Sequence, residues 1–250
     1  MKKIFLLASL VVLTASCRKK DDPVTTPGKV TISIQNVAGA QPLVLNTNWY
    51  VNANGDSMMI SEYKYYLSNV VFEAATTNFK EPESYHLIDE RESGSRTFTI
   101  TNVPDGTYSK LHFMIGVDEQ RNTSGAQTGA LDPAHGMFWD WNTGYIMSKM
   151  EGTSPQASTF QNKFSYHIAG FQGDNSVVRD VTLVFSTPIK IKAGSAPKIY
   201  LKADMLEWFK TPHTISLNAL PVVGSEGLDA VEISVNYQDM FTIDRIEDAE

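Results

Sequence analysis

"VPDGTYSKLHFMIGV", residues Val103 to Val117, decides how the rest of the chain is read. Pro104-Asp105-Gly106 is a turn signal. It opens a run in which Tyr108, Leu111, Phe113 and Ile115 are the candidate core residues. Apolar residues two apart are the mark of a half-buried strand. His112 then falls on the face opposite Leu111 and Phe113, where a surface or packed histidine is the plain reading.

The same pattern recurs on both sides. "VTISIQN" (Val30–Asn36) alternates, and "NWYVNANGDSMMI" places two short runs around Asn54-Gly55, which predicts a type I′ hairpin. "EYKYYLSNVVFEA" sets Tyr63, Tyr65 and Leu67 on one face before Val70, Val71 and Phe72 break the alternation. "SYHLID", "RTFTI", "YIMSKM", "KFSYHIAGF", "VVRDVTLVF", "PIKIKA" and "KIYLKADM" are further strand candidates. Helix is scarce: "ADMLEWFK" with Asp204 as its cap, and part of "GLDAVEISVNYQDMF". Many short strands separated by turn signals predict an all-β, β-sandwich-like domain over residues 30–250. No internal repeat divides it.

The N-terminus reads as an address. Lys2 and Lys3 precede an apolar run of ten residues, Ile4–Leu13, half the ~20 residues a spanning helix needs. Residues 1–16 are therefore expected to be a signal peptide. "LTASC" ends at Cys17, the one cysteine in the chain, which resembles a bacterial lipoprotein junction with Cys17 as the lipidated residue. A lone cysteine forms no internal disulfide. Residues 17–29 form a polar, proline-bearing tether, and Lys20-Asp21-Asp22 resembles a surface-export signal. The expected location is the outer membrane, on its periplasmic or cell-surface face.

Without Lys2 and Lys3 the chain has 19 basic against 28 acidic residues, a balance of −9. Nucleic-acid affinity comes largely from lysine and arginine neutralising phosphates, so nucleic acid is not an expected partner. No GxSxG, HExxH or P-loop is present, and the chain is read as a non-enzyme.

Residues 116–146 stand apart, rich in Gly, Asp and Asn. So long a connection in a compact domain is usually functional or mobile. It ends in "GMFWDWNTGY" (Gly136–Tyr145), with Trp139 and Trp141 two apart. On a strand they would form one aromatic ridge in the core; exposed, they would offer a stacking platform. His135 and Met137 lie beside them, and an aromatic strand delivers His167 into Ala169-Gly170. Imidazoles commonly bind copper, and a thioether adds a soft ligand suited to Cu(I). Asp118, Glu119, Asn122, Asp132, Asp140 and Asn142 carry hard oxygen ligands, but their spacing is not that of an EF-hand and suits turn chemistry.

Five segments, "YKYYLSNV", "VPDGTYSKLHFMIGVD", "LDPAHGMFWDWNTGY", "YHIAG" and "NYQDMF", together resemble the MbnP-like proteins, a methanobactin-associated, periplasmic copper-binding family. The resemblance implies an exported β-rich domain and a di-haem peroxidase-like partner protein. It also implies a copper site with two histidines and a kynurenine made from tryptophan. On this chain it points to Trp139 or Trp141 as the tryptophan and to His167 as one ligand. Phe138, Asp140 and Thr123 stand where the family tends to carry histidine, leaving His135 as the substitute ligand, with Met137 close by. The expected role is copper binding in copper handling or acquisition. The alternative is a non-metal binding or adhesion module that uses the aromatic loop 116–146.

Overall fold

The run that leads the sequence reading is a strand, Gly106–Ile115, in the computed structural model, which describes residues 27–139 and 144–248. Tyr108, Leu111, Phe113 and Ile115 are buried, and His112 is half-buried on the opposite face. The step of three between Tyr108 and Leu111 accompanies a bulge, because the register against the neighbouring strand slips between Glu73 and Ala74.

That neighbour, Ser57–Ala74, is the spine of the larger, ten-stranded sheet. One edge of the spine pairs in turn with Trp49–Val51, Tyr85–Asp89 and Phe79–Lys80. The other edge pairs with Gly144–Thr153 along its first half and Gly106–Ile115 along its second. Lys163–Ala169 lies outside Gly144–Thr153, and Arg179–Ile191 outside Gly106–Ile115. The sequence divides the last of these at Phe185. The structure joins the halves into one strand, since both pair with the same partner across an irregular step between Val184 and Ile189. Pro188, which has no N–H to give to a ladder, falls within that step.

The alternation of the spine breaks at Asn69, whose φ of +53° accompanies a register shift between Ser68 and Val71. Tyr63, Tyr65 and Leu67 are buried as expected, but so are Lys64, Tyr66 and Ser68 on the other face. Here the spine is covered on both sides.

The five-stranded sheet covers one side. In it Gly28–Ala38 pairs in parallel with Lys198–Asp204 and antiparallel with Thr97–Val103, and Phe241–Glu247 extends the far edge. Phe241 meets Phe113 edge-on at 5.0 Å and Tyr65 at 5.7 Å across the interior. Removing these faces from water is the main favourable term in folding. The fold is an all-β sandwich, as the strand pattern predicts.

Two expectations about local structure change. The turn at Asn54-Gly55 joins two strands but is not type I′, because Gly55 (φ +86°) takes positive φ and Asn54 does not. Asn52 decides this: its side-chain oxygen accepts from Asn54 N at 3.0 Å and Asp56 N at 2.9 Å, so a longer loop closes on its own side chain. The C-terminal segment does form a helix, Leu228–Tyr237, despite its β-branched residues. Ala230, Ile233 and Tyr237 fall three and four apart and are buried together, so packing outweighs intrinsic propensity. Asp204 caps the 3-10 turn Met205–Phe209 through Leu206 N at 3.0 Å.

Candidate functional site

The described residues of the segment, 116–139 and 144–146, cover the outer face of the larger sheet. Three of its acidic and amide side chains, Asp118, Asn122 and Asp132, hold its turns. Asp118 caps the helical turn Glu119–Asn122, and Asp132 caps Pro133–His135. Asn122 is buried; its amide donates to Val117 O at 2.6 Å and Asp118 O at 3.0 Å, and its oxygen accepts from Tyr145 N at 2.8 Å. It thereby fastens the start of the segment to the strand that ends it.

Tyr145 is the centre of this cover. Its ring meets Tyr66 edge-on at 5.8 Å and Phe138 at 5.0 Å, and its hydroxyl donates to Leu131 O at 2.9 Å. Phe138–Trp139 pairs antiparallel with Gly144–Tyr145, so these parts of the aromatic motif are the two arms of a hairpin, and Trp139 is buried. Trp141 and Asp140 lie outside the described residues, as does Cys17. Phe138 and Thr123 have packing and helix-end roles: Phe138 backs Tyr145, and the Thr123 hydroxyl donates to Glu119 O at 2.9 Å.

His167 sits two residues before the end of its strand, half-buried. Asp89, Lys64, Lys149 and His167 stand in register across four strands, and Glu62 and Glu151 stand opposite each other alongside. Ion pairs run along this ladder. Lys64 meets Glu62 at 3.1 Å and Asp89 at 3.2 Å; Lys149 meets Glu62 at 3.4 Å and Glu151 at 3.3 Å. His167 Nε2 lies 2.7 Å from Glu151. The hydrogen bond from His167 pulls the Glu151 carboxyl down to about 2; partial burial opposes it and Lys149 reinforces it.

His135 reaches the same ladder from the covering segment. Its carbonyl accepts from Lys64 Nζ at 2.9 Å, and its ring Nε2 lies 3.0 Å from Gly129 O. A cleft of about 600 Å³ is lined by Glu62, Lys64, Asp89, Arg91 and His135. Met137 is fully buried, and its carbonyl accepts from Ile146 N at 2.9 Å. Among the described residues no three His, Cys, Asp or Glu side chains gather as a metal site.

The ladder as a unit is not legible in the sequence. Its only signal there is that Glu62 and Lys64, Lys149 and Glu151, and Ser165 and His167 occupy alternate, outward positions of three strands.

The MbnP family profile matches residues 27–242. The chain belongs to the MbnP family. The match runs through the Asn122 clip, the aromatic hairpin and His167. The solved structure of MbnP from Methylosinus trichosporium has the same fold, with a TM-score of 0.54 at 13% identity, covering 89% of this chain and 99% of that one. No curated protein matches the chain. The MbnP resemblance read from the five motifs is therefore correct.

Proposed function

We propose that this MbnP-family protein is a lipoprotein, exported and anchored through Cys17, that binds copper with His167 as a ligand and serves copper handling or acquisition. Membership of the family, through a match that spans the aromatic hairpin and His167, carries the reading. It also supports an accessory role associated with methanobactin rather than catalysis by this chain.

The donor chemistry is compatible with copper. His167 and His135 each engage an acceptor through Nε2, a carboxylate and a backbone carbonyl respectively, and neither Nδ1 hydrogen-bonds a described residue. In the neutral ring that leaves the Nδ1 lone pair for a metal, the arrangement that orients metal-bound histidines. Copper would bring a redox-active, imidazole-binding centre. The neighbouring Lys149 opposes a bound cation electrostatically, and Glu151 offsets it. A di-haem peroxidase-like partner would act on Trp139 or Trp141, and the Met137 thioether is the third ligand candidate.

Copper retention tests the reading. The purified domain is expected to keep roughly one copper through desalting, as a site of imidazole donors does, and His167→Ala to lose it. A domain that keeps none, or a variant that keeps as much as the parent, overturns the assignment. The second reading, a non-metal binding or adhesion module that uses the aromatic loop 116–146, then stands on the cover that its described residues form.

A further inference from the structure

A second cleft opens on the outer face, beside the bulge at Asn69. It measures about 490 Å³ and lies between residues 80–85 and the helical turn Glu119–Asn122. Two of its carboxylates are committed within the protein. Asp118 accepts from the Tyr85 hydroxyl, from Asn69 Nδ2 at 2.9 Å and from Arg121 N at 3.2 Å. Burial works against its charge, yet these bonds outweigh burial and hold the carboxyl below its ordinary value. The Tyr85 phenol, pushed up to about 12 by burial and by Asp118, keeps its proton at neutral pH. Glu81 accepts from Ser84 Oγ at 2.5 Å and lies 2.9 Å from His86 Nε2.

The cations of the same cleft are Lys80 and Arg121, and Arg121 Nη1 donates to Gln127 Oε1 at 3.2 Å. The Lys80 ammonium has no hydrogen-bonded or ion-paired partner among the described residues. Arg121 lies over the Tyr85 ring, 5.4 Å from its centroid, which steadies the guanidinium. One carboxylate, Glu83, pairs with Arg121, and its side chain is 78% exposed. Glu83 also holds φ at +48°, a left-handed conformation uncommon for a residue with a side chain. An exposed ion pair contributes little, so solvent and solutes compete for Arg121. Glu83 shows which group the guanidinium takes here: a carboxylate, whose two oxygens match the planar fork.

We propose that this cleft binds a small molecule through a carboxylate that replaces Glu83 on Arg121, with Lys80 supplying the second positive charge. Beyond the Arg121–Glu83 pair a further cavity of about 280 Å³, lined by Gln127, Thr128 and Leu131, has room for the rest of the ligand. The site is separate in its side chains from the His167 ladder and does not depend on copper.

Calorimetric titration of the metal-free protein with succinate, at fixed ionic strength, tests the proposal. Removing the internal competitor with Glu83→Gln is expected to tighten succinate binding about 2- to 5-fold, the range of an exposed ion pair. Arg121→Gln is expected to abolish binding, and Lys80→Gln to weaken it. His167→Ala is expected to leave it unchanged, which keeps this outcome apart from that of the copper test. Failure of the parent and of Glu83→Gln to bind, or equal binding by Arg121→Gln, overturns the site. Inorganic phosphate that binds as tightly as succinate overturns the choice of a carboxylate.

Discussion

Asn122 shows how much one side chain decides in this protein. Its amide closes three hydrogen bonds with backbone groups on both sides of the covering segment. Removing a buried partner costs the desolvation of the groups left behind. Asn122→Ala is therefore expected to destabilise the domain by about 2 kcal/mol, seen as a lower urea midpoint. A loss below about 0.5 kcal/mol, within the scatter of ordinary surface changes, would show that Tyr145 is held without it. The sequence marks Asn122 only as one of several turn-forming residues. Its burial against Tyr145, 23 positions away, has no local signature.

Among elements, the three strands Ser57–Ala74, Gly144–Thr153 and Lys163–Ala169 bring alternate polar residues into one ladder. Each strand's outward face is readable from its period of two. Which residue meets which depends on register, and register follows from bulges such as that between Glu151 and Gly152. The ladder makes stability depend on acid. Glu151 has an ordinary value of 4.5 and a folded value of about 2. Its contribution is full above pH 4.5 and is lost as the pH falls toward 2, because the folded state holds the charged form more tightly. The carboxylate is partly exposed, so solvent screening reduces the effect to about 1 kcal/mol. Glu151→Gln is expected to flatten stability across that window by this amount, measured as unfolding midpoints against pH. An unchanged slope would show that His167 and Lys149 do not hold Glu151 in solution.

At the scale of the molecule, the two sheets are joined by a buried polar chain as well as by aromatic contacts. Tyr65 on the spine donates to Asn36 Oδ1 at 2.8 Å, and Asn36 Nδ2 donates to Glu90 at 2.8 Å. Arg96 completes the chain to Glu90 at 2.9 Å. Burial, with lesser repulsion from Asp89, raises the Glu90 carboxyl despite these partners. Asn36→Leu leaves a buried phenol and a buried carboxylate each short of a partner, which costs about 2–3 kcal/mol. The expected outcome is a drop of that size in unfolding free energy with an unchanged denaturant slope. A near-neutral effect would show that the aromatic contacts alone set how the sheets join.

The strand class, most strand positions, the faces of the leading strand and the family are all legible along the chain. Turn signals and period-two alternation are local, and the motif segments lie in order along the chain. The sequence also points to residues 116–146 and to His167. Packing in three dimensions sets what the chain does not show: the spine is buried on both faces, Trp139 pairs with Gly144 in a hairpin arm, and His167 answers to Glu151. It alone brought Lys80, Glu83 and Arg121 to one cleft. These outcomes rest on register, bulges and a long segment folding back over a sheet. They are set by contacts between residues tens of positions apart, which alternation along one strand does not encode.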